Sequence, residues 1–181
     1  MNDKILVTYA SRNGSTAGVA EAIGKTLAKS GAQVDVLAMK DVEDLSPYRA
    51  VVAGSAIQAQ QWLPEAMQFV RDHRAELASK PFAVFLVCMT LAIKNGIYRE
   101  QVAAWLDPVC TIVKPVSGGK NIPRGMFAGV LDIRKVPSFS DRLKSRLSIK
   151  MGVWSEGDHR DWNAIHAWAE SLRPLLQQVP R

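Results

Sequence analysis

Ile5-Leu6-Val7-Thr8-Tyr9-Ala10-Ser11-Arg12-Asn13-Gly14-Ser15-Thr16 changes character twice along its length. Its first residues are apolar and rich in β-branched side chains, the pattern of a strand buried on both faces. Ser11-Arg12-Asn13-Gly14 then supplies turn chemistry. From Thr16 the apolar residues recur at helical period. Val19, Ala20, Ile23 and Leu27 share one face, and Gly31 stops the helix.

The same alternation continues outward from this stretch. Residues 33–37 and 50–54 predict a second and a third strand, with a polar connection carrying Asp41, Glu43 and Asp44 between them. Pro64 predicts the start of a helix, because proline lacks only an N–H that has no partner there. Met67, Phe69, Val70 and Leu77 continue it. Residues 81–88 form a fourth apolar strand, and residues 97–106 a helix closed by Asp107-Pro108. Residues 127–131 read as a fifth strand, and residues 161–178 as a closing amphipathic helix with Trp162, Ile165, Trp168 and Leu172. Strands that are apolar throughout and alternate with helices imply a parallel sheet covered on both faces, a doubly wound α/β protein. The 181 residues suit one domain, 1–181. Residues 111–157 break the pattern and imply an insertion, over about 132–157.

The turn after the first strand carries the chemistry. Ser11, Ser15 and Thr16 offer hydroxyls, Gly14 allows a tight backbone turn, and the first N–H groups of a helix point at one anion. It is neither GxGxxG nor GxxxxGK[ST], so a pyrophosphate or nucleoside triphosphate has no cradle here. A single glycine with three hydroxyls suits a monophosphate held without a metal. The competing explanation is a plain helix N-cap. The position after the first strand of an α/β sheet favours the ligand, because ligands bind at the carboxyl ends of such strands.

This loop resembles the flavodoxin phosphate loop, and the strand–helix order is similar to the flavodoxin-like fold over nearly the whole chain. The chain more closely resembles the flavodoxin-like, quinone-linked protoporphyrinogen oxidases of bacteria. The stretches that carry this are Val51-Val52-Ala53-Gly54-Ser55-Ala56-Ile57 with Phe69-Val70-Arg71-Asp72-His73, the fourth strand running into Leu91-Ala92, and Phe127-Ala128-Gly129-Val130-Leu131 before a basic segment. The resemblance implies a five-stranded sheet of order 2-1-3-4-5 with one FMN at its carboxyl ends. Ser11, Arg12, Asn13, Gly14, Ser15 and Thr16 would hold the phosphate. Ser55, Ala56, Ile57 and Gln58 would edge the flavin ring on one side, and Met89, Thr90, Leu91 and Ala92 on another. Ala128, Gly129 and Leu131 would end the fifth strand beside it. Trp62 is the one aromatic in the first ring loop, read evenly as a flavin contact or as packing for the helix at Pro64.

Net charge is +6, from 23 Lys and Arg against 17 Asp and Glu. It is not spread evenly. Residues 112–150 hold nine basic and two acidic side chains, so this segment is +7 and the remainder −1. Within it Phe139, Leu143, Leu147 and Met151 are spaced by four, a helical stripe. Arg142, Lys144, Arg146 and Lys150 fall outside the stripe. A basic amphipathic helix is a membrane-surface or partner-binding element, or a surface helix with its stripe on the core. Nucleic acid is not expected, since no reader motif or aromatic interleaving accompanies the charge. Arg134, Lys135, Arg142, Lys144, Arg146 and Lys150 are therefore candidates for contact with a membrane or with the propionates of a porphyrinogen. The resembled family is rich in aromatics here; this chain keeps Phe139.

Cys88 and Cys110 form no CxxC pair and are expected to be reduced and buried. His73, His159 and His166 are scattered, and no triad, paired carboxylates or metal-ligand spacing is present. In flavin chemistry the cofactor does the chemical work, so a triad is not required. The leading expectation is an FMN-dependent oxidoreductase taking electrons from a small organic substrate to a quinone. Its location would be cytoplasmic, with peripheral membrane contact open and self-association open. The rival is a non-enzymatic FMN electron carrier.

Overall fold

Six strands and the helices that cover them follow from the buried apolar runs. The structure, a computed structural model, describes residues 4–93, 98–114, 122–135 and 139–176; the side chains of Lys135, Phe139, Asp141 and Lys144 lie outside the described part, as do Ile97 and Gln178. Along the chain come β1 (Lys4–Ala10), α1 (Ser15–Ala28), β2 (Gln33–Ala38), β3 (Tyr48–Gln58), β4 (Gln61–Trp62), α2 (Pro64–Asp72), α3 (Arg74–Ser79) and β5 (Phe82–Val87). Then follow α4 (Arg99–Ala104), α5 (Asp107–Ile112), β6 (Arg124–Phe127), β7 (Val130–Leu131), α6 (Phe139–Lys150), β8 (Gly157–Asp158), α7 (Trp162–Ser171) and α8 (Arg173–Leu176). The sheet runs β2-β1-β3-β5-β6, with every pair on that path parallel. This is the expected order 2-1-3-4-5 once the short antiparallel β4 is set aside.

Alternate residues of the strands feed two cores. Leu6, Val51, Ala53, Val84 and Leu86 pack under Phe69 and Val70 of α2, Leu77 of α3, Val102 of α4 and Val109 of α5. Ile5, Val7, Val52, Ala83 and Phe85 pack under Val19, Ile23 and Leu27 of α1 and under Ile165 and Leu172 near α7. The sheet is covered on both faces, as its unbroken apolar strands require.

Four boundaries differ from the sequence expectation, each for a local reason. The helix at Pro64 divides at His73, whose backbone (φ −99, ψ 15) leaves helical geometry, and α3 restarts so that Leu77 reaches the same core as Phe69. Asp107-Pro108 opens α5 rather than closing the helix before it, because proline is tolerated in a first turn. The closing helix divides at Leu172, two residues before Pro174, which has no N–H for the helical ladder. The fifth strand is Arg124–Phe127, not 127–131. The Cys88 N–H donates to the Phe127 carbonyl at 3.1 Å and ends the ladder, after which the chain turns away. Val130 and Leu131 instead pair antiparallel with Asp158 and Gly157.

Gly54 sits at the centre of this packing. A Cβ built there would fall 2.0 Å from the Phe85 ring, which is fully buried. Overpacking of this kind costs about 1–3 kcal/mol. Gly54→Ala is expected to lower the unfolding free energy by about that amount, read from urea denaturation. Gly54→Ala combined with Phe85→Leu should lose less than the two single changes added, because the smaller side chain vacates the clash.

Candidate functional site

The loop between β1 and α1 gathers hydroxyls at the start of an uncapped helix. Gly14 is the N-cap residue of α1 with φ +85, a conformation that glycine adopts without strain. Its N–H donates to Ser11 Oγ at 3.0 Å, which folds the loop on itself. No side chain caps α1, so its first-turn N–H groups and the positive end of its dipole face the space beyond the loop. Ser15 borders that space. Thr16 is wholly buried, and its Oγ1 has no hydrogen-bond partner among the described residues. A buried hydroxyl left unmade costs about 1–3 kcal/mol, so a group that would complete it is stabilising. Arg12 leans away and pairs with Glu65 of α2, Nη1 to Oε1 and Nη2 to Oε2 each at 3.1 Å.

Beside the loop is a cleft of about 440 Å³. Arg12, Asn13 and Ser15 form one wall; Ala56, Ile57, Gln58 and Leu63 a second; Val87, Cys88 and Met89 a third. Gly129, Val130 and Ser145 of α6 close it. The parallel register explains the convergence, since Ala10 lies beside Ser55 and Ala56 beside Val87 at the carboxyl ends of β1, β3 and β5. Gly129 brings its backbone close to the loop: a Cβ there would be 3.2 Å from Val87 Cγ1 and 3.5 Å from Ser15 Oγ. Burial pushes the Cys88 thiol up from its ordinary pKa, so it faces the cleft as a neutral apolar group.

Other expected residues stand nearby but not on the cleft wall. Ser55 is fully buried; its hydroxyl accepts from the Leu63 N–H at 3.0 Å and donates to the Ala56 carbonyl at 2.8 Å. It holds the Ala56–Gln58 wall against the start of α2. Trp62 packs in the core, 3% exposed, with Nε1 unpartnered. Between them Ala59 and Gln60 take positive φ in a two-residue hairpin turn. Thr90 and Ala92 sit half-buried in a 3-10 turn after β5. Leu91 and Ala128 line a neighbouring cleft of about 310 Å³ with Arg99, Arg124 and Trp168. Leu131 is buried.

The described basic candidates do not line the cleft. Arg134 is exposed and pairs with Asp132 at 3.1 Å. Arg142, Arg146 and Lys150 are exposed on α6. Leu143, Leu147 and Met151 are 60%, 55% and 62% exposed, so the stripe faces solvent and not the core. Sequence reasoning passed over Val87, Cys88, Ser145, Glu65 and Arg160. The first two are marked only by their place at the end of a strand; Ser145 is brought in by the insertion and Arg160 by the short link between β8 and α7, and neither carries a local signal.

A hydroxyl loop with an uncapped helix, an orphan Thr16 hydroxyl and an apolar slot beside it match the phosphate and flat ring of FMN. A family model described as "Flavodoxin domain" matches residues 6–162. A curated protein of Leishmania major named protoporphyrinogen IX dehydrogenase [quinone] is 29% identical over 195 residues, covering 98% of this chain and 78% of that protein. Among solved structures, a short-chain flavodoxin associated with a bacterial microcompartment has a TM-score of 0.60 at 13% identity, covering 96% of this chain and 99% of that one. A flavodoxin from the domain Archaea has a TM-score of 0.52 at 18% identity, covering 94% and 99%.

Thr16→Val keeps the shape of the side chain and removes the orphan hydroxyl. The apoprotein should be as stable as the wild type or about 1 kcal/mol more stable. FMN affinity, read by quenching of flavin fluorescence, should fall about tenfold. Unchanged FMN affinity would show that the hydroxyl does not serve the ligand.

Proposed function

The chain belongs to the flavodoxin-domain family, and from that premise we propose that it is an FMN-dependent oxidoreductase. It draws electrons from a porphyrinogen and passes them to a quinone at the surface of an anionic membrane. The observation that carries this beyond the fold is the position of α6. Ser145 of this helix borders the cleft, while its outer half is solvent-facing. At 3.6 residues per turn, Arg142, Arg146 and Lys150 form one strip of that outer half and Leu143, Leu147 and Met151 the adjacent strip. Cations beside exposed apolar side chains suit the headgroup region of an anionic bilayer. Among the described residues no helix is long and apolar enough to cross a membrane, so the contact is peripheral.

When bound, FMN supplies an acceptor for a hydride equivalent and a donor of electrons to a quinone. Ser11, Ser15, Thr16 and the first N–H groups of α1 bind its phosphate. Ala56, Ile57, Val87 and Met89 orient the ring and exclude water from it. No aromatic side chain is among the described residues lining the cleft, which leaves room for a large flat substrate. Arg142 and Arg146 pair with substrate propionates at the rim. The near full-length likeness to a protein named as a protoporphyrinogen dehydrogenase supports this substrate class.

Anaerobic addition of protoporphyrinogen IX to the FMN-loaded protein should bleach the flavin, and a quinone should restore its colour. Bleaching by reduced ferredoxin but not by porphyrinogen would identify an electron carrier instead. Separately, the protein should sediment with anionic and not with neutral vesicles. Leu143→Glu with Leu147→Glu should weaken that binding by about a hundredfold, through loss of two exposed apolar side chains that the bilayer would bury, with FMN affinity unchanged. Vesicle binding that survives the double change would place the membrane contact elsewhere.

A further inference from the structure

Arg160 lies between the β7–β8 ribbon and α7, far in sequence from the anion loop and adjacent to it in space. It shares a small cleft of about 190 Å³ with Asn13, Gly14 and Ser15 of that loop, and with Val130 and Asp132. Its side chain is 17% exposed and fixed from two directions. The Asp158 carboxylate takes two of its nitrogens, Nε to Oδ1 at 2.8 Å and Nη2 to Oδ2 at 2.5 Å. The Trp162 ring lies under the guanidinium, 4.3 Å from Cζ to the ring centroid. Nη1 has no acceptor among the described residues. It rests on the first turn of α1, where a Cβ on Gly18 would come within 2.5 Å of it.

We propose that Arg160 is a phosphate-recognition residue, with Nη1 donating to the phosphate of the bound flavin nucleotide. This rests on the FMN reading above and adds to it a fixed cation. Three features support the role. The guanidinium is pre-positioned, so little side-chain entropy is lost when it engages an anion. Gly18 closes the first turn of α1, where glycine is a poorer helix former than alanine, and the guanidinium seat supplies a reason for it. Asp132 lines the same cleft, so a phosphate arriving there meets a carboxylate that an adjacent cation offsets. Arg134 already pairs with Asp132, and Asp158 is held below the usual carboxylate range, first by its side-chain hydrogen bond from Arg160.

The test compares FMN with riboflavin, which carries the same ring and no phosphate, by fluorescence titration of the apoprotein. Arg160→Gln should weaken FMN binding about tenfold, the low end for a charge-assisted hydrogen bond because Asp158 already balances much of the charge. Riboflavin affinity should not change, and the salt dependence of FMN binding should flatten. Gly18→Ala displaces the guanidinium without deleting it and improves helix propensity, so it remains informative if the glutamine variant misfolds. It should weaken FMN several-fold and leave riboflavin unchanged, and the double variant should lose no more than Arg160→Gln alone. Equal weakening of both flavins would make Arg160 a structural residue and overturn the proposal; so would FMN affinity unchanged in either single variant. A wild-type protein with no affinity for any flavin would sink the FMN reading itself, a result distinct from these.

Discussion

The Phe85 ring lies against Gly54, and Phe127 and Trp168 close on it at centroid distances of 6.3 and 6.1 Å, with Phe127 and Trp168 themselves 5.6 Å apart. The two Trp168 contacts are edge-to-face, the arrangement that aromatic quadrupoles prefer. This cluster joins β3, β5, β6 and α7 and needs a bare α-carbon on the central strand. With β3 and β5 held in register, Ala56 is set beside Val87, and the loops that leave those strands stand on either side of one gap. The gap is then a consequence of core packing. Its walls are continuations of strands that have no freedom to separate.

The carboxyl end of the sheet also keeps the start of α1 open. Among the described residues Thr16 Oγ1 is buried and unpaired, Gly14 caps α1 with no side chain, and Arg12 is drawn aside by Glu65. That exposed ion pair contributes little stability. It does keep a cation from collapsing onto the loop while leaving the N–H groups clear. Thr8 Oγ1, within β1, is equally buried and unpaired, and nothing in the structure explains it.

The strands and the anion loop were legible because their signals are local. A continuous apolar run such as Phe82–Val87 has few alternatives, and three hydroxyls around one glycine after a first strand mark a turn and a helix start together. Helix continuity was less legible. His73 and Leu172 interrupt helices whose apolar period runs on unbroken, since tertiary packing and a downstream proline decide those points. Asp107-Pro108 is ambiguous in principle, because proline both ends one helix and suits the start of another. The fifth strand slipped because Val130 and Leu131 are as apolar as the sheet strands, yet pair with a distant ribbon. Arg160 could not be found at all. Its place depends on that ribbon, and neither its neighbours in sequence nor its residue type distinguishes it from other surface arginines.

Localisation of the charge bears on how binding and access are coupled. Within the +7 segment, α6 contributes Ser145 to the cleft wall and Arg142, Arg146 and Lys150 to the outside. A helix that packed its stripe on the core would have left a charged, solvated face and no apolar one. Here Leu143, Leu147 and Met151 stay outward beside the cations, so the same half of the helix offers hydrophobic and electrostatic attraction together. Because Ser145 on the inner side of α6 borders the cleft, the outward cations and apolar side chains of that helix stand beside the cleft wall.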